Sequence, residues 1–263
     1  MWGAIAGDII GSVYEAAPLK RETFALFPPA ARFTDDTVLT LAVAEALLRG
    51  AEYAPTLRAF ARRYPDAGYG AMFARWAWDD RLGPYGSWAN GAAMRVSPVG
   101  FACTTSDEVL AEAARSARVT HDHPEAVQAA QAVALAVFLA RTGAAPEAIR
   151  EELTQRFGYA LDRSIAAIRP AYRFDVSARG SVPEAILAAL EGAGVEGAIR
   201  TAVSLGGDSD TQACIAGGIA QALWGTVPGS LLEAVGRRLP PEFLSILDEF
   251  YTVYGVSLSR TDA

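Results

Sequence analysis

Two acidic clusters far apart in the chain, Thr34-Asp35-Asp36-Thr37 and Gly207-Asp208-Ser209-Asp210-Thr211, each stand directly before a long apolar stretch with helical spacing. Asp, Ser and Thr favour helix starts, where their oxygens accept from unpaired backbone N–H groups and their charge suits the positive end of the helix dipole. Capping is therefore one reading of either cluster. A cap needs a single acceptor, however, and each cluster offers two aspartates and a threonine. If the fold joined the two helix starts, carboxylates about 4 to 5 Å apart would repel by roughly 3 to 4 kcal/mol per pair at the effective dielectric of protein sites. Such a group persists only with protonation or bound cations. Carboxylate and hydroxyl oxygens are ligands for hard ions such as Mg²⁺, Mn²⁺ or Ca²⁺, and two divalent ions would balance four aspartates. The clusters point to a two-metal centre.

Other segments offer contacts for a ligand. In Pro84-Tyr85-Gly86-Ser87-Trp88-Ala89-Asn90-Gly91, glycines allow backbone N–H groups to approach an anion, and an exposed Trp88 would stack on a base. The alternative is an ordinary turn with a core tryptophan. Gly68-Tyr69-Gly70 is a weaker case of the same kind. Near the start, Gly7-Asp8 and Gly11-Ser12-Val13-Tyr14-Glu15 place two acids almost two helical turns apart, near one helix face, where either is open to being a solvated surface acid. Glycines 7 and 11 each cost about 1 kcal/mol against alanine inside a helix, which suggests close packing or close approach to a ligand. His121 and His123, the two histidines of the chain, lie at a helix entrance before Pro124, and no Cys-His set accompanies them as a zinc site would require. The segment Gly192-Ala193-Gly194-Val195-Glu196-Gly197 matches a dinucleotide fingerprint in spelling but follows a helical pattern where a strand is needed, and reads as a turn between helices. Lys20, the sole lysine, stands in no phosphate loop.

The elements that must position these residues are helices. Apolar residues recur at three- and four-residue spacing through Val38 to Leu48 and Val127 to Phe138. Weaker patterns of the same kind cover Ala54 to Arg63, Ala71 to Asp79, Asp107 to Val119, Pro146 to Phe157, Pro183 to Leu190, Thr211 to Trp224, Ser230 to Leu239 and Pro241 to Tyr251. Convincing alternating strands are scarce, so the class is all-α. Val127 to Ala140 and Cys214 to Leu223 are apolar on most faces and belong at the centre. The 263 residues carry no linker, repeat or composition shift and read as one domain of roughly ten or more helices. With 23 Lys plus Arg against 30 Asp plus Glu, the net charge of −7 argues against a polyanionic nucleic-acid surface, while a single nucleotide stays open. The apolar N-terminus lacks a basic leader, and no apolar run is long enough for a membrane span. Two isolated cysteines, Cys103 and Cys214, fit a reducing cytoplasm and are expected as buried thiols. A monomer is expected.

Taken together, Gly7-Asp8 with Gly11 and Glu15, Thr34-Asp35-Asp36-Thr37, Asn90-Gly91 with Met94-Arg95, Thr120-His121 and Ser204-Leu205-Gly206-Gly207-Asp208-Ser209-Asp210-Thr211 resemble, in type and order, the ADP-ribosylglycohydrolase family. The resemblance spans most of the chain. It implies an all-α enzyme with two divalent ions, usually Mg²⁺ or Mn²⁺, that releases ADP-ribose from a modified side chain or related conjugate. It also implies Thr34, Asp35, Asp36, Asp208, Asp210 and Thr211 as metal ligands and Glu15, Asp35, Asp36 and Asp208 as the catalytic carboxylates. Gly86 and Ser87 would hold phosphate, Trp88 would stack near adenine, and Asn90 and His121 would line the ligand site. Ser209 stands where the family commonly has threonine. The Tyr14-Glu15 pair leans towards oxygen-linked acceptors. Two other readings remain open: a two-metal phosphohydrolase cleaving a nucleotide diphosphate, and a non-catalytic ADP-ribose-binding or structural relative.

Overall fold

The computed structural model describes residues 1–256 and the backbone of residues 259–261. The first half is built from α1 (Trp2–Gly11), α2 (Asp35–Arg49), α3 (Tyr53–Arg63), α4 (Ala71–Trp78), α5 (Gly91–Met94), α6 (Ser97–Ala102), α7 (Ser106–Arg118) and α8 (Pro124–Arg141). The second half holds α9 (Pro146–Phe157), α10 (Ile165–Ile168), α11 (Ala178–Glu191), α12 (Gly194–Val203), α13 (Ser209–Trp224), α14 (Gly229–Gly236) and α15 (Pro241–Val253). Two three-residue strands, β1 (Thr226–Pro228) and β2 (Ser259–Thr261), pair in parallel. The all-α expectation holds.

Local sequence explains most of the boundaries. Thr105 opens α7 with a capping box completed by Glu108, and His123 caps α8 through Nδ1 while Pro124 takes its first turn. Glycines in the left-handed region, Gly50 and Gly225, close α2 and α13. Two boundaries differ from the sequence pattern. Pro183 lies inside α11 instead of opening it, because Ser177 caps the helix upstream and the burial of Ala178, Ser181 and Val182 carries it past the proline. The turn expected over residues 192–197 is confined to Gly192 and Ala193; Val195, Ala198, Ile199 and Ala202 share a buried stripe that makes Gly194–Val203 a helix.

The two stretches expected at the centre are there. Helix α13 is buried from Ser209 to Ala222, and α8 is buried on most of its faces. Around them pack α1, α5, α6, α7, α11 and α12. The tightest contact is between α1 and α13, which run antiparallel with glycines at the crossing. A Cβ on Gly3 would come within 2.2 Å of the Gly217 carbonyl oxygen, one on Gly7 within 2.0 Å of Ala213 O, and one on Gly11 within 2.4 Å of Ser209 O. These three glycines, one helical turn apart, form a seam that no larger residue fits. Close packing was one of the two explanations the sequence left open for glycines 7 and 11, and the geometry selects it.

This seam is testable by unfolding. Gly7→Ala forces backbone apart and is expected to destabilise by about 1 to 3 kcal/mol, the usual cost of overpacking. Gly236→Ala, in a helix with open space around the added methyl, is expected to be neutral or to stabilise by up to about 1 kcal/mol. Equal urea midpoints for the two variants would remove the seam from the account.

Candidate active site

The seam delivers Asp8 to the start of α2. Asp8 is fully buried, which sets aside the solvated-surface alternative for it. Its Oδ2 accepts from the N–H groups of Thr34 (2.9 Å) and Thr37 (3.1 Å) and from the Thr37 hydroxyl, and its Oδ1 accepts from Thr34 Oγ1 at 2.6 Å. A carboxylate from one helix thus satisfies donors at the N-terminus of another. Thr34 Oγ1 meanwhile accepts weakly from Asp36 N–H, at 3.3 Å. With capping handled by Asp8 and Thr34, the carboxylates of Asp35 and Asp36 are released from that task.

At the second cluster Asp210 Oδ1 accepts from the first-turn N–H of Thr211 at 2.9 Å, and Asp208 does no capping. Asp208 occupies the N-cap of α13, yet its side chain makes no cap bond; instead its Oδ2 accepts from Asn90 Nδ2 at 2.7 Å. The two clusters meet. Thr211 Oγ1 lies 3.4 Å from Asp36 Oδ2, and carboxylate oxygens of Asp8, Asp36 and Asp210 fall within 4.8 Å of one another. Asp36 Oδ1 is buried without any hydrogen-bond partner. No arginine, lysine or histidine forms an ion pair with these aspartates among the described residues.

Burial followed by the charge of Asp210 raises the carboxyl pKa of Asp8 to about 7, against the donors from Thr34 and Thr37 that pull it down. The same two causes, with Asp8 added, lift Asp35 to about 8, and burial and neighbouring carboxylates push Asp36 and Asp208 well above the ordinary range. A compact set of oxygen donors with excess negative charge, one orphaned carboxylate oxygen and no ion-paired protein cation among the described residues is the donor chemistry that hard divalent ions fit.

The cluster forms the floor of a cavity of about 480 Å³. Glu15, Asp35, Asp36, Gly86, Ser87, Trp88, Asn90, His121, Asp208, Asp210 and Thr211 all line it. Thr34 lies beneath this floor through its bonds to Asp8 and Asp36. The structure therefore brings together the residues expected to bind metal and substrate, while His123 stands apart as the cap of α8. Glu15 is not on the helix face expected for it, because α1 ends at Gly11; it stands exposed in the following turn, its pKa raised by partial burial and then by Asp210. Trp88 is 52% exposed and Met72 is 58% exposed, so an accessible apolar surface stands at the mouth and the core-tryptophan alternative is set aside. Gly86 has φ 66°, but its N–H already donates to Asp122 Oδ1 at 2.6 Å, which leaves the expected anion nest partly occupied. Ser87 Oγ accepts from Ala89 N–H at 3.3 Å.

Sequence reasoning did not assign roles to Asp8, Thr37, Ser181 or Arg95. Ser181 shares the Asn90 amide with Asp208, at 3.1 Å. The signal for Asp8 was present in its flanking glycines, whereas Ser181 sits in a helix whose pattern resembles any other. Cys214 is a buried thiol as expected, while Cys103 is only partly buried. No helix among the described residues is long and apolar enough to cross a membrane.

Comparison with known proteins gives the same frame. A sequence profile described as ADP-ribosylglycohydrolase matches residues 1–257. The chain belongs to the ADP-ribosylglycohydrolase family. It is 28% identical to ADP-ribosylhydrolase ARH3 of Mus musculus over 85% of this chain and 82% of that protein. It is 31% identical to the Homo sapiens protein of the same name over 54% of this chain and 48% of that one. A solved structure titled ADP-ribosylglycohydrolase-related protein complex superposes with a TM-score of 0.72 at 28% identity, covering 96% of this chain and 97% of that chain.

Two outcomes follow for the isolated protein. Carboxyls whose folded pKa is raised bind protons more tightly folded than unfolded, so metal-free stability falls as pH rises from about 4, the ordinary carboxylate value, through the folded values of about 7 and 8. Added Mg²⁺ is accordingly expected to raise the melting temperature more at pH 8 than at pH 5.5, and an increment independent of pH would contradict the charge account. Asp8→Ala leaves four donors without their acceptor and is expected to cost at least about 3 kcal/mol in urea unfolding, since each orphaned buried donor costs roughly 1 to 3 kcal/mol.

Proposed function

We propose that this protein is a divalent-metal-dependent hydrolase that releases ADP-ribose from ADP-ribosyl conjugates, cleaving the bond at the anomeric carbon of the distal ribose. The convergence of both acidic clusters on one cavity, in a chain matched by the family profile over residues 1–257, carries the reading. Asp35, Asp36, Asp208 and Asp210, with the hydroxyls of Thr34 and Thr211, would hold two ions, Mg²⁺ or Mn²⁺. Bound there, the ions supply positive charge that offsets the carboxylates and makes water more acidic.

The remaining work falls to the protein. Asn90 holds the Asp208 carboxylate in place from its own anchor on Ser181. Trp88 offers an exposed face for an adenine ring, and cavity-lining Ser87 and His121 offer polar contacts. In the reaction a water oxygen bonds to the anomeric carbon while the bond to the acceptor atom breaks and its electron pair leaves with that atom, through an oxocarbenium-like transition state. Glu15, at the cavity edge with its pKa raised, is suited to take the proton from the attacking water and to return one to the leaving atom, a contribution of about 10² to 10⁴-fold. Asp35, Asp36 and Asp208 are the other carboxylates in this machinery. Substrates are conjugates carrying ADP-ribose on a protein side chain or a comparable acceptor, with oxygen-linked acceptors favoured.

The test is a panel of defined oxygen- and nitrogen-linked ADP-ribosyl conjugates, incubated with Mg²⁺, Mn²⁺ or chelator and read by chromatography. Intact ADP-ribose released only with metal is expected; AMP and ribose phosphate would replace this reading by diphosphate cleavage, and tight binding without turnover would make the protein an ADP-ribose binder. Asp208→Asn and Asp210→Asn are expected to lose metal content and activity together. Glu15→Gln is expected to retain metal while turnover drops by about 10² to 10⁴-fold; unchanged turnover would exclude Glu15 from the chemistry.

A further inference from the structure

Arg95 is a fully buried cation that the proposed chemistry does not use. It forms no ion pair with a carboxylate among the described residues, and its Nε and Nη1 have no hydrogen-bond partner. Its Nη2 donates to the Ser116 carbonyl, in the last turn of α7, at 3.1 Å and to Thr120 Oγ1 at 2.9 Å. The negative end of a helix dipole suits a cation in that place. Thr120 Oγ1 in turn lies 2.7 Å from His121 Nδ1.

The direction of this chain follows from donor chemistry. A guanidinium only donates, so Thr120 Oγ1 accepts from Arg95 and its own hydrogen is left to find an acceptor. That hydroxyl neighbours two acceptors, the Tyr85 phenol oxygen and His121 Nδ1 at 2.7 Å, and the imidazole nitrogen is the more basic and the stronger acceptor of the two. Polarisation by the neighbouring cation makes the hydroxyl a better donor. His121 is 5% exposed, and burial together with the Arg95 charge drives its pKa well below the usual histidine value, so the ring is neutral and carries one proton. With Nδ1 accepting, that proton is on Nε2. The Nε2 edge sits against Gly91, where a Cβ would come within 2.9 Å of it, in the wall of the cavity. Residue 91 being glycine keeps that edge clear.

We propose that Arg95 and Thr120 are positioning residues that set the tautomer of His121, holding Nδ1 unprotonated and presenting an Nε2–H donor to the cavity. His121 then donates to a hydroxyl or phosphoryl oxygen of the bound ligand and does not accept a proton from it. The ligand half of this statement rests on the ADP-ribose reading of the cavity; the tautomer half does not.

The experiment is ¹⁵N-detected NMR of the imidazole nitrogens in ligand-free protein, with His123→Asn to assign the two histidines, followed by calorimetric titration with ADP-ribose. The parent and Thr120→Ser are expected to show His121 protonated at Nε2. Thr120→Val and Arg95→Met, verified as folded by circular dichroism, are expected to lose that single tautomer, and Thr120→Val to bind ADP-ribose roughly three- to tenfold more weakly, the worth of one neutral hydrogen bond. Should Arg95→Met not fold, Arg95→Lys tests the same link from the other side: its ammonium still donates to Thr120, so His121 is expected to stay protonated at Nε2, and loss of that tautomer overturns the role given to Arg95. A parent His121 protonated at Nδ1, or a Thr120→Val protein with the tautomer unmoved, overturns the proposal. A tautomer that moves while ADP-ribose affinity stays constant overturns the ligand contact alone. Absence of ADP-ribose binding in the parent protein instead fails the functional reading and leaves the tautomer measurement standing.

Discussion

The candidate site depends on how closely two helix backbones can approach. Gly3, Gly7 and Gly11 let α1 lie against α13 at a separation that an added methyl would abolish, and this contact places Asp8 beside Asp210. Asp8 then draws in the start of α2 through Thr34 and Thr37. Each step sets the geometry of the next: the seam fixes Asp8, Asp8 fixes α2, and α2 carries Asp35 and Asp36 to the second cluster. A single carboxylate accepting from two backbone amides and two hydroxyls is a stiff joint, because moving it strands several buried donors at once.

The same joint concentrates negative charge where water is scarce. Hydrogen bonds from Thr34 and Thr37 offset part of that burden at Asp8, and Asn90 does so at Asp208, but Asp36 has an oxygen with no partner at all. The buried guanidinium of Arg95 donates to Ser116 and Thr120 instead of pairing with the aspartates. A protein stabilised only by its own contacts would gain from closing that gap with a basic side chain. Leaving it open makes sense where the balancing charge comes from outside the chain.

Much of this was legible in the sequence, and for identifiable reasons. Four aspartates and two threonines at two helix starts exceed what capping requires, and the surplus was visible without a fold. Helices α8 and α13 announced their central position by being apolar all round. What stayed hidden was context of a kind that periodicity does not encode. Asp8 could not be told from a surface acid because its partners lie some thirty residues away along the chain, and Pro183 looked like a helix start because local rules ignore the burial that overrides them. Glu15 was placed on a helix that stops one turn earlier. The direction of the Arg95–Thr120–His121 chain requires atomic distances and a donor that cannot accept.

The seam also sets when the site can exist. Gly7 and Ala213 touch across most of the length of the polypeptide, so a chain emerging from the ribosome has no gathered acidic cluster until α13 has been synthesised and docked. Until then the carboxylates that would grip an ion are not yet gathered in one place. Any ion the site holds would thus be a late arrival in assembly, locking a finished scaffold and not guiding its construction.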